Sequence, residues 1–231
     1  MSDDKPDHLG HRRRLRERFL AGGTTALADY EFLELLLCQA QPRGDMKPLA
    51  KALMKRFGSF GGVITAGPDS LAEIDGMGEA SIVALKTVQA AALLMQKQDI
   101  IQKPVLASWK TVLDYCHSVM AHEPIEQFRL LFLDGKNALI ADEKQSQGTV
   151  NHTPVYVREV AKRALALDAS AVIMAHNHPS GDPSPSRDDI EMTKAVKVAL
   201  EKIGIQLHDH IIVGRKGHVS LRSLGYLDGK S

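Results

Sequence analysis

Apolar residues in the first part of the chain recur at the spacing of amphipathic helices. Leu15 and Phe19, for example, lie one helical turn apart. Gly58 directly follows another periodic segment, and glycine is the residue favoured just after the end of a helix. The pattern predicts helices at residues 11–19, 28–37, 47–57 and 81–98. Because Pro104 disfavours helical geometry at the residue before it, we predict an all-helical N-terminal domain that comprises residues 1–103.

The second part of the chain, residues 104–231, mixes two periodicities. Alternating or continuous apolar residues predict strands at residues 125–133, 138–142, 145–151, 171–175, 205–213 and 218–221. Segments of helical period predict helices at residues 109–121, 155–167 and 186–203. This order is typical of an α+β domain in which helices flank a central sheet.

Composition narrows the class of protein. The chain has 231 residues, 25% of them charged and 44% hydrophobic, with a net charge of +1. A net charge this small provides no global field for nucleic acid or a membrane, so any basic surface must be local. The two cysteines, Cys38 and Cys116, lie in separate regions and do not form a disulfide framework. No apolar run resembles a signal peptide or a membrane span. We therefore expect a cytoplasmic protein that binds no membrane.

Candidate chemistry concentrates at the end of the apolar strand 171–175. His176 and His178 follow this strand one residue apart, and alternate residues of a strand share a face. The next segment, residues 179–185, contains three prolines and Gly181, which exclude a continuing central strand and favour a tight loop. Two imidazoles on one face are half of a zinc site.

The helix predicted after this loop supplies a carboxylate. Ser186 is a candidate N-cap, and Asp189 stands three residues later, as in a capping box. Two histidine nitrogens, the Asp189 carboxylate and one open position form a catalytic zinc site, not a closed structural one. Asp188 is the alternative ligand if the spacing differs by one residue. A second pair, His208 and His210, is followed by no acidic loop, so we predict a hydrogen-bonded or half-exposed pair there instead of a second metal site.

The spacing His-x-His-Pro-x6-Ser-x2-Asp, from His176 to Asp189, is similar to the JAMM signature of the JAB/MPN metalloprotease fold. The longer string at residues 176–186, together with residues 148–160, resembles the RadC family of bacterial proteins, the UPF0758 group. The resemblance implies a JAB/MPN domain over residues 104–231 and a Zn²⁺-dependent hydrolase that cleaves a peptide or isopeptide-like amide. RadC-like proteins are associated with DNA repair by name, a link that these residues do not themselves predict.

The same resemblance implies two further catalytic groups. A general base stands upstream, at the start of a neighbouring strand, where this chain has Glu126; Glu123 and Glu143 are its competitors. Glu159 matches a family motif on a helix, where a structural role fits equally well. The Ser186 hydroxyl would steady the oxyanion of the tetrahedral intermediate.

Residues 70–85 resemble a helix-hairpin-helix element. Gly76 and Gly78 permit a tight hairpin and leave the N–H groups of the following helix open to a DNA phosphate, whatever the base sequence. Asp75 and Glu79 flank the hairpin and oppose phosphate binding, which Lys86 would partly offset. The alternative is a hairpin that serves only helix packing or domain docking.

Two function classes compete with the zinc hydrolase. One is a DNA-associated binding protein whose metal site is structural or vestigial, supported by the hairpin and by the arginines of residues 12–18. The other is a metal-dependent nuclease, which would require more oxygen ligands than the single carboxylate of Asp189 provides. An unidentified protein or peptide substrate and non-sequence-specific DNA are the candidate partners; the sequence predicts no oligomeric state.

Overall fold

The structure, a computed structural model, describes residues 7–101, 105, 109–145 and 156–227. Internal contacts divide the chain into two units, Met1–Ala92 and Leu93–Ser231. The boundary predicted at Pro104 lies outside the described residues. Within the described part of the chain, no helix is both long enough and apolar enough to cross a membrane.

The N-terminal unit is helical, as its periodicity predicts. Its α-helices are α1 Asp7–Gly22, α2 Asp29–Ala40, α3 Lys47–Phe57, α4 Phe60–Thr65 and α5 Pro68–Ala72, and a short 3₁₀ turn covers Gly23–Ala26 after α1. Helix α6, Glu79–Ile101, begins in this unit and continues past its last residue, Ala92. Gly58 ends α3 in the left-handed region, with φ of 82°. Ser59 then caps α4 by accepting a hydrogen bond from the Gly62 N–H at 3.0 Å. The helices bury a leucine-rich core that includes Leu33, Leu37, Leu53, Leu71 and Leu85.

The C-terminal unit combines helices with one five-stranded sheet. Its elements are α7 Trp109–Met120, β1 Phe128–Leu133, β2 Leu139–Lys144, α8 Val157–Ala166, β3 Ala171–Asn177, α9 Arg187–Glu201, β4 Gln206–Gly214 and β5 Gly217–Ser220. The strand order is β2-β1-β3-β4-β5. Among the neighbouring strand pairs of the described residues, only β3 and β4 run parallel, and α9 makes the crossover that a parallel pair requires. The predicted α+β class, helices followed by a mixed sheet with flanking helices, is confirmed.

Both faces of this sheet are covered, which explains why all seven residues of β3 are buried. Ile173 and Ala175 face the core shared with α7, whereas Val172 and Met174 face the core shared with α8 and α9. Strand alternation therefore puts His176, at the end of β3, on the α8 and α9 side of the sheet.

The predicted hairpin of β1 and β2 and the closing hairpin of β4 and β5 are both present. Of the extended segment predicted at residues 145–151 only Gln145 is described, and its N–H donates to the Phe128 carbonyl at 2.8 Å, which continues the pairing of β2 with β1. The rest of that predicted segment lies outside the described residues. So do His152 and the first residue of the helix predicted to start at 155. The described helix α8 starts at Val157.

Candidate metal centre

The two histidines at the end of β3 point their Nε2 atoms at each other. The distance between His176 Nε2 and His178 Nε2 is 2.9 Å. The His178 backbone N–H donates to the Val213 carbonyl at 2.9 Å, so the neighbouring strand β4 still supports the chain after β3 ends. The His176 side chain is 1% exposed and that of His178 is 20% exposed, so the pair lies at the border between core and solvent.

A tight loop then returns the chain to the histidines. Gly181 adopts a φ of 92°, and its N–H donates to the His178 carbonyl at 2.9 Å. The Gly181 carbonyl in turn accepts from the Arg215 N–H at 3.2 Å, which ties the loop to the end of β4. Left-handed geometry at residue 181 favours glycine because a side chain would be strained there.

The predicted capping box opens α9. Ser186 Oγ accepts from the Asp189 N–H at 3.1 Å, while Asp189 Oδ2 accepts from the Ser186 N–H at 2.8 Å. The Ser186 hydroxyl also donates to Asp189 Oδ2 at 2.6 Å. Local capping chemistry therefore orients the Asp189 carboxylate as well as starting the helix.

The Asp189 carboxylate meets both histidines. Its Oδ1 lies 3.2 Å from His176 Nε2, and its Oδ2 lies 3.5 Å from His178 Nε2. One ligand atom from each of the three residues lies within 4.8 Å of the others, and two imidazole nitrogens with one carboxylate oxygen are a donor set that zinc accepts. Among the described residues these three form the one group of histidine, cysteine or acidic side chains able to hold an ion, and Asp188 is not part of it.

Electrostatics keep the carboxylate ionised. Burial raises the pKa of Asp189, but its close contacts with the imidazoles of His176 and His178 outweigh burial and hold that pKa well below its usual range. The hydrogen bond with Asp189 raises the pKa of His178, against a smaller lowering by burial. An ionised aspartate is the form that a metal requires of this ligand.

Glu126 lies beside the histidines by strand register. In the antiparallel pair β1 and β3, Phe128 is opposite His176. One further backbone hydrogen bond, from the Asn177 N–H to the Gln127 carbonyl at 3.3 Å, continues this register beyond β1. Glu126 is therefore next to His178, and its charge contributes to the raised pKa of that histidine.

The competing glutamates have other partners. Glu143 accepts two hydrogen bonds from Arg163 Nε, at 2.9 and 3.0 Å, and Glu123 accepts from the Gln127 side chain. On α8, Glu159 Oε1 lies 3.6 Å from Arg158 Nε, and the Glu159 side chain is half exposed. Of the four candidates for the general base, Glu126 is the one that the sheet register brings to the two histidines.

Sequence reasoning missed the part that His210 plays. His210 is fully buried, and its Nε2 lies 2.8 Å from His176 Nδ1. On the other side, His210 Nδ1 lies 2.5 Å from Thr193 Oγ1. The preceding histidine, His208, contacts Asn137 Oδ1 at 2.6 Å. Both are hydrogen-bonded, one of the two predicted alternatives, but the sequence holds no local signal that β4 would lie against β3 and put His210 behind the candidate ligand His176.

Asn177, between the two histidines, was also missed. Its side chain bridges to the segment that carries Glu126: Oδ1 accepts from the Gln127 N–H, and Nδ2 donates to the Glu123 and Ile125 carbonyls. The side chain is 1% exposed. A buried polar residue between two candidate ligands was the available signal, since such a residue needs partners.

In the N-terminal unit the hairpin needs a glycine at only one of the two predicted positions. Gly76 has a φ of 88°, whereas Gly78 does not have the left-handed φ and a Cβ added there would meet no atom within 4 Å. Lys86, expected to offset the acidic flanks, donates to the Ile64 carbonyl at 3.0 Å and to Gln89 Oε1 at 2.9 Å. Its ammonium group is therefore engaged within the unit.

Two arginines of residues 12–18 also have structural roles. Arg12 donates to the Pro42, Gln41 and Gly44 carbonyls after α2. Arg18 forms a bidentate pair with Glu31, at 2.9 and 3.0 Å. Each of these guanidinium groups therefore makes three hydrogen bonds within the unit, and contact of either with a phosphate stays a prediction.

Family comparisons cover both units. Residues 106–226 match the RadC-like JAB domain, and residues 7–83 match the UPF0758 N-terminal domain. A UPF0758 protein of Rhodobacter capsulatus is 57% identical over 213 residues, which are 92% of this chain and 100% of the relative. A UPF0758 protein of Ruegeria pomeroyi is 55% identical over 94% of this chain and 97% of its own length. The chain therefore belongs to the UPF0758 family, and its C-terminal part is a RadC-like JAB domain.

Proposed function

We propose that the chain is a zinc-dependent hydrolase of peptide or isopeptide-like amide bonds. The observation that carries this proposal is the convergence of His176 Nε2, His178 Nε2 and the Asp189 carboxylate within 2.9 to 3.5 Å of one another. His178 and Asp189 are 20% and 14% exposed, so a substrate can reach this side of the group. Membership of a RadC-like JAB family supports the same chemistry.

In this proposal the three side chains hold Zn²⁺, which when bound supplies a Lewis acid that lowers the pKa of water from about 16 to roughly 7. Glu126 accepts the proton of the attacking water and delivers it to the leaving nitrogen, since a carboxylate beside the site can act as base and then as acid. Ser186 orders Asp189 through its hydroxyl proton. Its proposed contact with an oxyanion requires that the proton turn from Asp189 to the substrate.

The first test is metal content, measured by elemental analysis of the purified protein. We expect about one zinc per chain in the wild type, loss of zinc in His178→Ala, and retention in His218→Ala, which changes an exposed histidine of β5. A folded wild-type protein that contains no zinc and takes up none on titration would overturn the proposal.

The second test separates catalysis from metal binding. Glu126→Gln should retain zinc and lose about 10²- to 10⁴-fold in hydrolysis of a panel of peptide and ε-linked lysine amides. Equal activity of Glu126→Gln and wild type would remove Glu126 from the mechanism without affecting the zinc site.

We keep DNA contact by the N-terminal unit as a second candidate function. The observation in its favour is an open cavity at the hairpin, lined by Gln41, Gly76, Met77, Gly78, Ala80 and Ser81. Because the space around Gly78 is empty, Gly78→Leu should fold normally and obstruct the hairpin. Fluorescence anisotropy with a labelled duplex should then show binding that weakens with salt in the wild type and further in the variant. Absence of salt-dependent binding by the wild type would exclude this function.

A further inference from the structure

Three hydrogen bonds connect the backbone of α9 to the metal-facing side of β3. Thr193 Oγ1 lies 2.5 Å from the Asp189 carbonyl oxygen and 2.5 Å from His210 Nδ1. His210 Nε2 lies 2.8 Å from His176 Nδ1. Thr193, His210 and His176 are each no more than 1% exposed, so these contacts are closed to solvent.

The direction of these hydrogen bonds follows from the number of protons. The Asp189 carbonyl can only accept, so the contact at 2.5 Å takes the single hydroxyl proton of Thr193. The equally short contact between Thr193 Oγ1 and His210 then needs the proton of His210 Nδ1. The His210 ring is fully buried and lies tilted against Phe128, with ring centroids 5.5 Å apart, so it carries no second proton without a large desolvation cost. His210 Nε2 is therefore an acceptor, and His176 Nδ1 is the donor to it.

We infer that His210, held by Thr193, is a positioning residue that fixes the tautomer of His176 so that its Nε2 lone pair faces His178 and Asp189. This inference rests on the proposed zinc site for its purpose, but the tautomer itself is a property of the metal-free protein. A metal ligand needs a deprotonated nitrogen, and a hydrogen bond to the other ring nitrogen selects which one is deprotonated.

The second histidine ligand is oriented by the same principle through a different partner. His178 Nδ1 lies 2.8 Å from the Asp182 carbonyl oxygen, which can only accept. Its Nδ1 therefore carries a proton, and its Nε2 is the atom left for the metal. One ligand is thus oriented by the loop after β3, and the other by a buried histidine of β4.

The test combines the tautomer with zinc affinity. Long-range ¹H–¹⁵N NMR of the metal-free protein should show His176 protonated at Nδ1. Thr193→Val removes the hydroxyl at nearly constant volume, and should both raise the share of the Nε2-protonated form of His176 and weaken zinc binding about 10- to 100-fold. Thr193→Ser, which restores the hydroxyl, should recover both properties. His208→Gln, on the same strand but bonded to Asn137, should leave both unchanged.

Two results would overturn the inference. One is a metal-free wild type in which His176 carries its proton on Nε2. The other is a folded Thr193→Val protein, with an unchanged circular dichroism spectrum, whose His176 tautomer equals that of the wild type. If the wild type has the expected tautomer but binds no zinc, the proposed function fails while the hydrogen-bond assignment stands.

Discussion

Asn177 Oδ1 accepts a hydrogen bond from the Gln127 backbone N–H at 2.8 Å, across a sequence separation of 50 residues. The side chain leaves β3 on the face opposite to His176 and His178, and its Nδ2 donates to two carbonyls of the same segment, at Glu123 and Ile125. One buried amide thus connects the strand that carries the candidate metal ligands to the segment that carries the candidate base.

Asn177→Ala should loosen this segment without removing a candidate metal ligand. The change leaves the buried Gln127 N–H without its acceptor, which costs about 1 to 3 kcal/mol in the free energy of unfolding. Hydrogen exchange at the Gln127 amide should accelerate, and hydrolysis should fall while zinc content is retained. An amide that exchanges at the wild-type rate in the variant would contradict this assignment.

Ser186→Ala should show how much the capping box contributes. The variant loses the acceptor for the Asp189 N–H and the donor to Asp189 Oδ2. We therefore expect the free energy of unfolding, measured by urea denaturation, to fall by about 1 kcal/mol. Zinc affinity should fall with it, because the carboxylate loses part of its orientation. Ser186→Thr keeps the hydroxyl and is the matched control; a loss of equal size in Ser186→Thr would indicate a steric effect instead of a lost cap.

Gly214→Ala should disturb the loop that follows the histidines. A Cβ at residue 214 would overlap the Gly181 carbonyl oxygen and lie 2.8 Å from Pro183 Cδ. We expect a stability loss of about 1 to 3 kcal/mol, the usual cost of overpacking, together with weaker zinc binding. Gly135→Ala is the control, since its nearest neighbour, Ser170 Oγ, is 3.6 Å away. Calorimetric melting of both variants measures the difference, and equal melting temperatures would show that the loop moves freely.

Cys116 should make stability depend on alkaline pH. Burial raises the pKa of its thiol from 9.0 to about 12. Because the folded state favours the protonated thiol, this contribution to stability is complete below pH 9.0 and is lost as the pH rises toward about 12. The free energy of unfolding, measured by urea denaturation between these pH values, should therefore fall more steeply with pH in the wild type than in Cys116→Ala.

Thiol labelling provides an independent measurement of the same residue. At pH 8 only roughly one in ten thousand native Cys116 side chains is a thiolate, so an aromatic disulfide reagent should reach it only after unfolding. Rapid labelling of two thiols per folded chain would show that Cys116 is not protected.

The local sequence pattern was sufficient to predict a feature wherever the interactions that produce this feature lie within one stretch of chain. Helices α1, α2, α3 and α6 follow from apolar spacing, which did not predict the short helices α4 and α5. The start of α9 follows from the reciprocal bonds of Ser186 and Asp189. The common face of His176 and His178 follows from strand alternation alone. Three candidate zinc ligands could therefore be named from a stretch of fewer than twenty residues.

The remaining features depend on which strands become neighbours, and adjacency is decided by the packing of the whole sheet. His210 reaches His176 only because β4 lies parallel to β3, and Glu126 reaches His178 only because β1 continues its antiparallel register past Phe128. Hydrogen bonds between residues far apart in sequence cannot be predicted from a local sequence pattern. The candidate ligands can thus be named from local pattern, whereas the side chains that orient them are known only once the strands have packed into the sheet.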